Sequence, residues 1–459
     1  MVSSTVDGIS AITALSSDSG TLTITSGTLI ATSLDSAKGY ATVIVNSNAA
    51  HVISFAQDYL FSSSGTISIT FSSTLGVSVS GVKLLGTQTK ISAALTEAAD
   101  TFTGGPDNDT VSGGGGIDVL YGGTGLGQDL LYGGASDDIA YGNTGDDSLY
   151  GDSGSDTLFG GQGNDALFGG ADNDTLQGGQ GNDTLLGGTD NDSILGGSGN
   201  DALSGEEGVD SLFGNSGADS LFGGNGDDFI YGNTGADILA GGLGNDMLAG
   251  GQGDDTITAD SGNDTVLGGQ GNDMVSGVDG NDLIYGNQGN DTLSGDIGAD
   301  SLHGGAGNDL LAGGDDADRL AGNSGADLIY GNAGTDIMYG NQGNDTFYGG
   351  ADADTLYGGS GADLLNGGLG ADILAGNSGN DTISGGGGAD TISMLGNGTG
   401  ADTILDFNVS EDRILLATGA TYTSTASGSS TILTLNDGGT ITLVGVSTGS
   451  VSDGLFLFG

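Results

Sequence analysis

From Asp129 to Asp390 every ninth residue is aspartate, thirty positions without an exception. A fixed period of this kind decides the architecture before any local propensity does. Two residues after each aspartate stands a large aliphatic or phenylalanine, such as Leu158, Leu167, Leu176, Ile194 or Phe347, with Ala140 the one small residue. Five residues before each, from Asp138 onward, is glycine, except for Ala259. Two before is also glycine, apart from Ser136, Asp172, Asp190, Asp316 and Asp352. Asp109 and Asp118 precede the run in the same register, after which Gly122–Asp129 adds two residues. Met394–Gly400 adds three more before Asp402. The unit is G-[GND]-x-G-x-D-x-U-x, as in Gly160-Gly161-Gln162-Gly163-Asn164-Asp165-Ala166-Leu167-Phe168.

Nine residues of this kind suit half a coil. A short x-U-x strand turns one side chain inward and two outward, as the pleat requires. A six-residue turn follows, in which glycine permits positive φ and leaves the backbone uncrowded. Two units bring the chain back to its start, so a coil takes 18 residues and residues i and i+18 stack. The expected fold is therefore all-β: a long parallel β-roll with an inward Leu/Ile column. About fifteen coils at ~4.8 Å would make a prism roughly 70 Å long.

Such a core is thin, with one large apolar residue in nine. Burial at ~25 cal/mol/Å² does not offset the entropy of ordering so many glycines, which number 98 in 459 residues. The chain also carries 60 acidic residues against 5 basic ones, for a net charge of −55. Almost all of it, −52, lies in residues 101–459. A chain of this charge is excluded as a nucleic-acid binder, because phosphate calls for lysine and arginine. A polyanion with stacked carboxylates needs a cationic partner instead, and calcium fits, because it takes six to eight oxygens from carboxylates and backbone carbonyls. Magnesium, which keeps its waters and demands an octahedron, fits less well. The alternative is that these aspartates are Asx-type turn residues holding local backbone bonds without metal.

The candidate metal ligands begin with Asp109, Asp118, Asp129, Asp138, Asp147, Asp156, Asp165, Asp174, Asp183, Asp192 and Asp201. They continue through Asp210, Asp219, Asp228, Asp237, Asp246, Asp255, Asp264, Asp273, Asp282, Asp291 and Asp300. The last are Asp309, Asp318, Asp327, Asp336, Asp345, Asp354, Asp363, Asp372, Asp381 and Asp390. No catalytic constellation accompanies them. There is no cysteine, no H-E-x-x-H and no G-x-S-x-G, and His51 and His303 stand far apart. The expectation is a binding protein and not an enzyme.

The repeat resembles the RTX family of hemolysin-type calcium-binding nonapeptide repeats, over about residues 104–402. The resemblance implies a β-roll in which each ion lies between turns of successive coils and each aspartate reaches an ion shared with its neighbour. About one ion per repeat, on the order of 28, would add about +56 to the chain. Ice-binding RTX modules carry a regular threonine row at the third repeat position. Here that position holds threonine only at Thr144, Thr189 and Thr234 between 135 and 387, so ice binding is not expected.

Three segments are expected: 1–103 and 104–402, divided by the change in composition, and 403–459, which follows the end of the repeats. The first is rich in Ser, Thr, Val and Ile, with strand-like runs at Thr21–Thr25, Ala41–Val45, Val52–Phe55, Thr66–Phe71 and Val77–Val82. It reads as a small β domain that caps the roll or serves assembly. In the last segment, 402–407 and 411–416 resemble the part that closes RTX rolls. A hairpin follows, Thr431–Leu435 and Thr440–Val444 around Asn436-Asp437-Gly438-Gly439. Ser452–Gly459 resembles the uncleaved carboxy-terminal signals of type I secretion substrates, or is simply a cap over the last coil. The start of the chain has no basic, apolar leader, and no stretch is apolar enough for a membrane span. Export by type I secretion without a cleaved leader is the expectation. The chain would stay unfolded at cytosolic calcium and fold outside the cell.

The last repeat position carries outward aromatics, among them Tyr132, Tyr150 and Phe168, and Tyr330 with Tyr348. At 18-residue spacing these stack into ladders that stiffen the sheet, or they contact another copy or a surface. The functional expectation is a calcium-binding structural protein of the bacterial cell surface. It would assemble into a layer, sheath or filament through the amino-terminal segment or the aromatic rows. The alternative is a soluble adhesin or extracellular matrix component. A secreted enzyme with an RTX tail is the least supported reading.

Overall fold

Thr157–Asp165 shows how nine residues become half a coil. In the computed structural model, Thr157–Gln162 is a strand and Gly163-Asn164-Asp165 the bend that follows it. Thr157, Leu158 and Phe159 lie opposite Thr175, Leu176 and Gln177 of the next coil, in parallel. The pairing skips Gly160 and resumes with Gly161 opposite Gly179 and Gln162 opposite Gln180. Strands are thus six residues long where the sequence suggested three, and the bend is correspondingly shorter. The cause is the stacked turns, which keep the ladder bonded: the Gly163 N–H donates to the Gln180 carbonyl at 2.8 Å. Gly161 and Gly163 sit at φ of 115° and 125°, a region closed to most side chains.

The structure describes residues 4–6, 21–24, 29–31, 41–45, 51–55, 65–71, 77–80, 89–95, 99–396 and 400–459. The chain divides into two compact units, Met1–Gly232 and Asn233–Gly459. Each is an all-β parallel solenoid. In the first, one ladder stacks Leu130–Ala135, Ser148–Ser153, Ala166–Ala171, Thr184–Thr189, Ala202–Glu207 and Ser220–Asn225. The opposite ladder stacks Ile139–Thr144, Thr157–Gln162, Thr175–Gln180, Ser193–Ser198 and Ser211–Ser216. In the second unit two ladders repeat the plan, from Ile238–Leu243 and Met247–Gln252 onward. Along each strand the inward positions fall on aspartate, the aliphatic two residues later and the glycine after that. Leu158, Leu176, Leu302 and Leu320 are among the aliphatics with no solvent exposure.

The described strands of the first hundred residues lie on the same two ladders. Gly65–Phe71 pairs in parallel with Thr89–Ala94, which pairs with Thr110–Gly115. His51–Phe55 pairs with Val77–Ser80, which pairs with Thr101–Thr103. The expected strands recur as Thr21–Ile24, Ala41–Val45, His51–Phe55, Gly65–Phe71 and Val77–Ser80. Thr25, residues 81–82 and residues 397–399 of the inserted segment lie outside the described residues.

At the carboxy-terminal end of the second unit, the strand Ala401–Ile404 pairs with Thr382–Gly387 and with Thr440–Leu443. Ser430–Leu435 runs antiparallel to Thr440–Leu443, forming the expected hairpin, and Tyr422–Ser427 adds a third antiparallel strand. On the other ladder Arg413–Leu416 pairs with Thr391–Ser393 and with the tail strand Phe456–Phe458. The Tyr422 hydroxyl donates to Asp453 at 3.1 Å and its ring packs on Phe456, which ties tail to hairpin. Among the described residues no helix is long and apolar enough to cross a membrane.

Candidate metal centre

All thirty-two candidate aspartates are buried, each at 4 % exposure or less. Their inward direction follows from the pleat, since aspartate and the aliphatic residue are two positions apart on one strand. One oxygen of each carboxylate has an evident task. Asp165 Oδ1 accepts the backbone N–H of Asp147, one coil back, at 2.8 Å, and Asp183 Oδ1 accepts that of Asp165 at 2.8 Å. In the second unit Asp273 Oδ1 accepts the Asp255 N–H at 2.9 Å. Each row of aspartates is therefore a chain of carboxylate-to-backbone bonds running from coil to coil.

The other oxygen has none. From Asp138 to Asp210 and from Asp255 to Asp390, every repeat aspartate keeps Oδ2 buried with no hydrogen-bond partner. A buried polar atom left unmade costs about 1–3 kcal/mol, and more when it is charged. Beside these Oδ2 atoms, except at Asp264 where Ala259 takes the glycine's place, lies a space that only glycine leaves open. A Cβ on Gly160 would stand 2.5 Å from Asp165 Oδ2 and 2.7 Å from the carbonyl oxygen of Gly178 in the next coil. A Cβ on Gly268 would meet Asp273 Oδ2 at 2.5 Å and the Gly286 carbonyl at 3.0 Å. Carboxylate and main-chain oxygens thus converge on one cradle per repeat. Among the described residues no three carboxylate or imidazole side chains come together. A cation held here would take most of its oxygens from the main chain, which suits calcium.

The electrostatics agree. Burial pushes the Asp165 carboxyl up to about 7; the Asp147 N–H pulls the other way, and the charges of Asp183, Asp147 and Asp146 add to the rise. Asp174 is pushed up to about 8, again by burial first. In the second unit Asp318 and Asp363 reach about 7 for the same reasons. Without a cation these rows hold protons more readily than free aspartates do, because carboxylates stacked one coil apart are both desolvated and alike in charge.

Three further aspartates join the rows, Asp100 one period before Asp109, and Asp402 and Asp412 beyond insertions that break the period. The Asp100 N–H donates to Asp118 Oδ1 at 2.7 Å, Asp402 Oδ1 accepts the Asp381 N–H at 3.0 Å, and Asp412 Oδ1 accepts the Asp390 N–H at 3.1 Å. All three are buried. Asp100-Thr101-Phe102 continues the register of Asp109 and Asp118 one step back, whereas Asp402-Thr403-Ile404 and Asp412-Arg413-Ile414 stand out of register and are marked only by the short pattern D-x-U. Asp109 departs from its neighbours, since its Oδ2 accepts the Gly105 N–H at 2.7 Å.

The outward aromatics stack as their spacing requires. Tyr132 and Tyr150 lie 4.8 Å apart, Tyr150 and Phe168 4.6 Å, and Tyr330 and Tyr348 5.1 Å, all face to face.

A solenoid whose inward carboxylates and turn carbonyls converge in a cradle every nine residues defines a β-roll of the calcium-binding class. The chain belongs to the RTX calcium-binding nonapeptide repeat family, whose model matches it across residues 96–393, in stretches from 96–126 to 366–393. Among solved structures, the extracellular lipase LipA from Serratia marcescens is similar over 50 % of this chain and 40 % of its own, with 18 % sequence identity and a TM-score of 0.15. A comparison with curated proteins finds no match.

Proposed function

We propose that this is a calcium-folded structural protein of the bacterial cell surface, whose copies assemble into a layer, sheath or filament. The observation that carries the reading is the row of buried, unpartnered Oδ2 atoms, repeated through most of the chain. The thirty-two aspartates of the nine-residue register are the ligands, with a glycine cradle beside them except at Asp264, where Ala259 stands, at about one ion per repeat. Bound calcium supplies the positive charge and the oxygen coordination that the cradles lack. The chain's own part is to present one carboxylate and the freed carbonyls at each step, and to keep water out with the Leu/Ile column.

Folding is then coupled to binding, since the site does not exist in the unfolded chain. A glycine-rich polyanion at low calcium stays threadable, which suits export by type I secretion, and millimolar calcium outside the cell folds it. The repeats occupy most of this sequence, which supports binding over turnover as its role. Assembly would use the aromatic rows or the amino-terminal segment.

Sedimentation velocity of the purified chain, in chelator and then in millimolar calcium, tests this. Large species that form with calcium and dissolve in chelator support surface assembly. A rise in sedimentation coefficient at constant monomer mass would replace assembly with the adhesin or matrix reading. No change with calcium would overturn the calcium reading itself.

A further inference from the structure

Between residues 91 and 412, Arg319 is the only arginine or lysine and His303 the only histidine. The fold of the second unit places these two on one outward face, in adjacent coils. His303 lies opposite Ala321, and Arg319 lies opposite Ser301. Among the described residues Arg319 makes no ion pair, and it is exposed, although the chain around it is strongly acidic.

The same face carries two stacked pairs of rings with a single small residue between them. Tyr285 stacks on His303 with ring centroids 4.8 Å apart and planes 11° from parallel. Tyr339 stacks on Tyr357 at 5.1 Å and 10°. Between the two pairs the row holds Ala321, opposite His303 on one side and Tyr339 on the other. The gap is a slot two ladder steps wide, about 9.6 Å from ring to ring. Its floor is Ala321, one flank is Arg319, and the other is Asn323, whose amide donates to the Ala321 carbonyl at 3.3 Å. His303 and Asn323 also border a surface cavity of about 400 Å³, completed by Tyr285, Asn287, Gln288 and Gly305.

The dimensions select the occupant. A flat ring in van der Waals contact with both walls fills about 7–8 Å. A puckered pyranose ring, with axial hydrogens on each face, fills the remainder. The Asn323 amide supplies a donor and an acceptor for hydroxyls, and a guanidinium recognises a carboxylate with two N–H groups at once. We infer that the Ala321 slot binds a saccharide bearing a carboxylate, a uronic acid. The sugar ring lies between His303 and Tyr339, and the acid lies on Arg319. The site needs only the folded roll and is independent of whether copies assemble.

Saturation-transfer NMR on the full chain in millimolar calcium provides the test, with methyl β-glucuronide as probe and methyl β-glucoside and benzoate for comparison. The expected result is transfer to the glucuronide that falls about tenfold in Arg319→Gln, the loss of one charge-assisted contact. Transfer should also vanish in Ala321→Tyr, which fills the slot between the two pairs. The row already accepts tyrosine at 339 and 357, and circular dichroism in calcium verifies that each variant folds. Absence of transfer in the parent chain, or equal transfer in Ala321→Tyr, would overturn the site. Transfer to benzoate in preference to the glucuronide would overturn the sugar assignment, and an Arg319→Gln variant equal to the parent would overturn the carboxylate.

Discussion

Asp390 and Asp412 are successive members of one row in the second unit, and they differ in a single bond. Each turns inward before an aliphatic residue, and each Oδ1 takes an aspartate N–H from the coil before it, Asp372 at 3.0 Å and Asp390 at 3.1 Å. Asp390 Oδ2 has no partner, whereas Asp412 Oδ2 accepts the Asn408 N–H at 2.7 Å. Asp406 goes further and accepts from Gly385, Gly386 and the Ser384 hydroxyl. The array leaves an oxygen for a cation, while the cap closes the same position with its own backbone. The roll should therefore depend on calcium along its length and be independent of it at this end.

The largest effect expected is loss of the array in chelator at neutral pH. Most far-UV strand signal should disappear and return with calcium, and persistence of the full signal would erase the distinction between array and cap. Acid should partly replace the metal. The repeat carboxyls, raised to about 7 at Asp318 and Asp363, bind more protons in the roll than in the unfolded chain between pH ~4 and 7. In chelator, stability is therefore present at low pH and is lost as pH rises through about 7. In calcium the dependence reverses, because protons compete for the ligands, and the calcium midpoint should rise as pH falls below 7. A midpoint flat across this range would contradict the raised carboxyls.

Filling one cradle is a smaller perturbation. Gly268→Ala puts a methyl group between Asp273 Oδ2 and the Gly286 carbonyl and should cost about 1–3 kcal/mol of calcium-dependent stability in a melt. Gly387→Ala, whose Cβ would meet only the Leu369 side chain at 3.6 Å, should be nearly neutral. Asparagine separates array from cap by sign. Asp273→Asn keeps the acceptor for Asp255 and turns an amide N–H toward the cradle, so it should stabilise the metal-free roll and weaken calcium binding. Asp412→Asn loses a backbone bond and should cost about 1–2 kcal/mol with or without calcium. The smallest effect belongs to the outward rows, where Tyr348→Ser removes the stack on Tyr330 and should cost about 0.5–1.5 kcal/mol by thermal unfolding.

Much of this was legible because the period is strict. Residues 18 apart stack, the Leu/Ile column lies inside and the Tyr132–Tyr150–Phe168 ladder forms, each a consequence of the pleat and the coil length. Asp402 and Asp412 were hidden by insertions that break the register, although D-x-U marks them. The antiparallel strand Tyr422–Ser427 left no signal, because polar alternation in Thr and Ser is common to strands and loops. The strands are longer than the x-U-x spacing predicts for a physical reason: glycines that read as turn stay bonded to the stacked turn above.

By itself the sequence determined that nine residues make half a coil, that the carboxylates form rows and that a cation must meet them. Periodicity is a property of one unit, and every copy obeys the same local geometry. Tertiary structure alone decided which oxygen of each carboxylate is spent on the neighbouring coil and which is left over. It also decided where the cap closes a row and that Arg319, Ala321 and His303 share a face. Those facts depend on the distance between coils, which no single repeat contains.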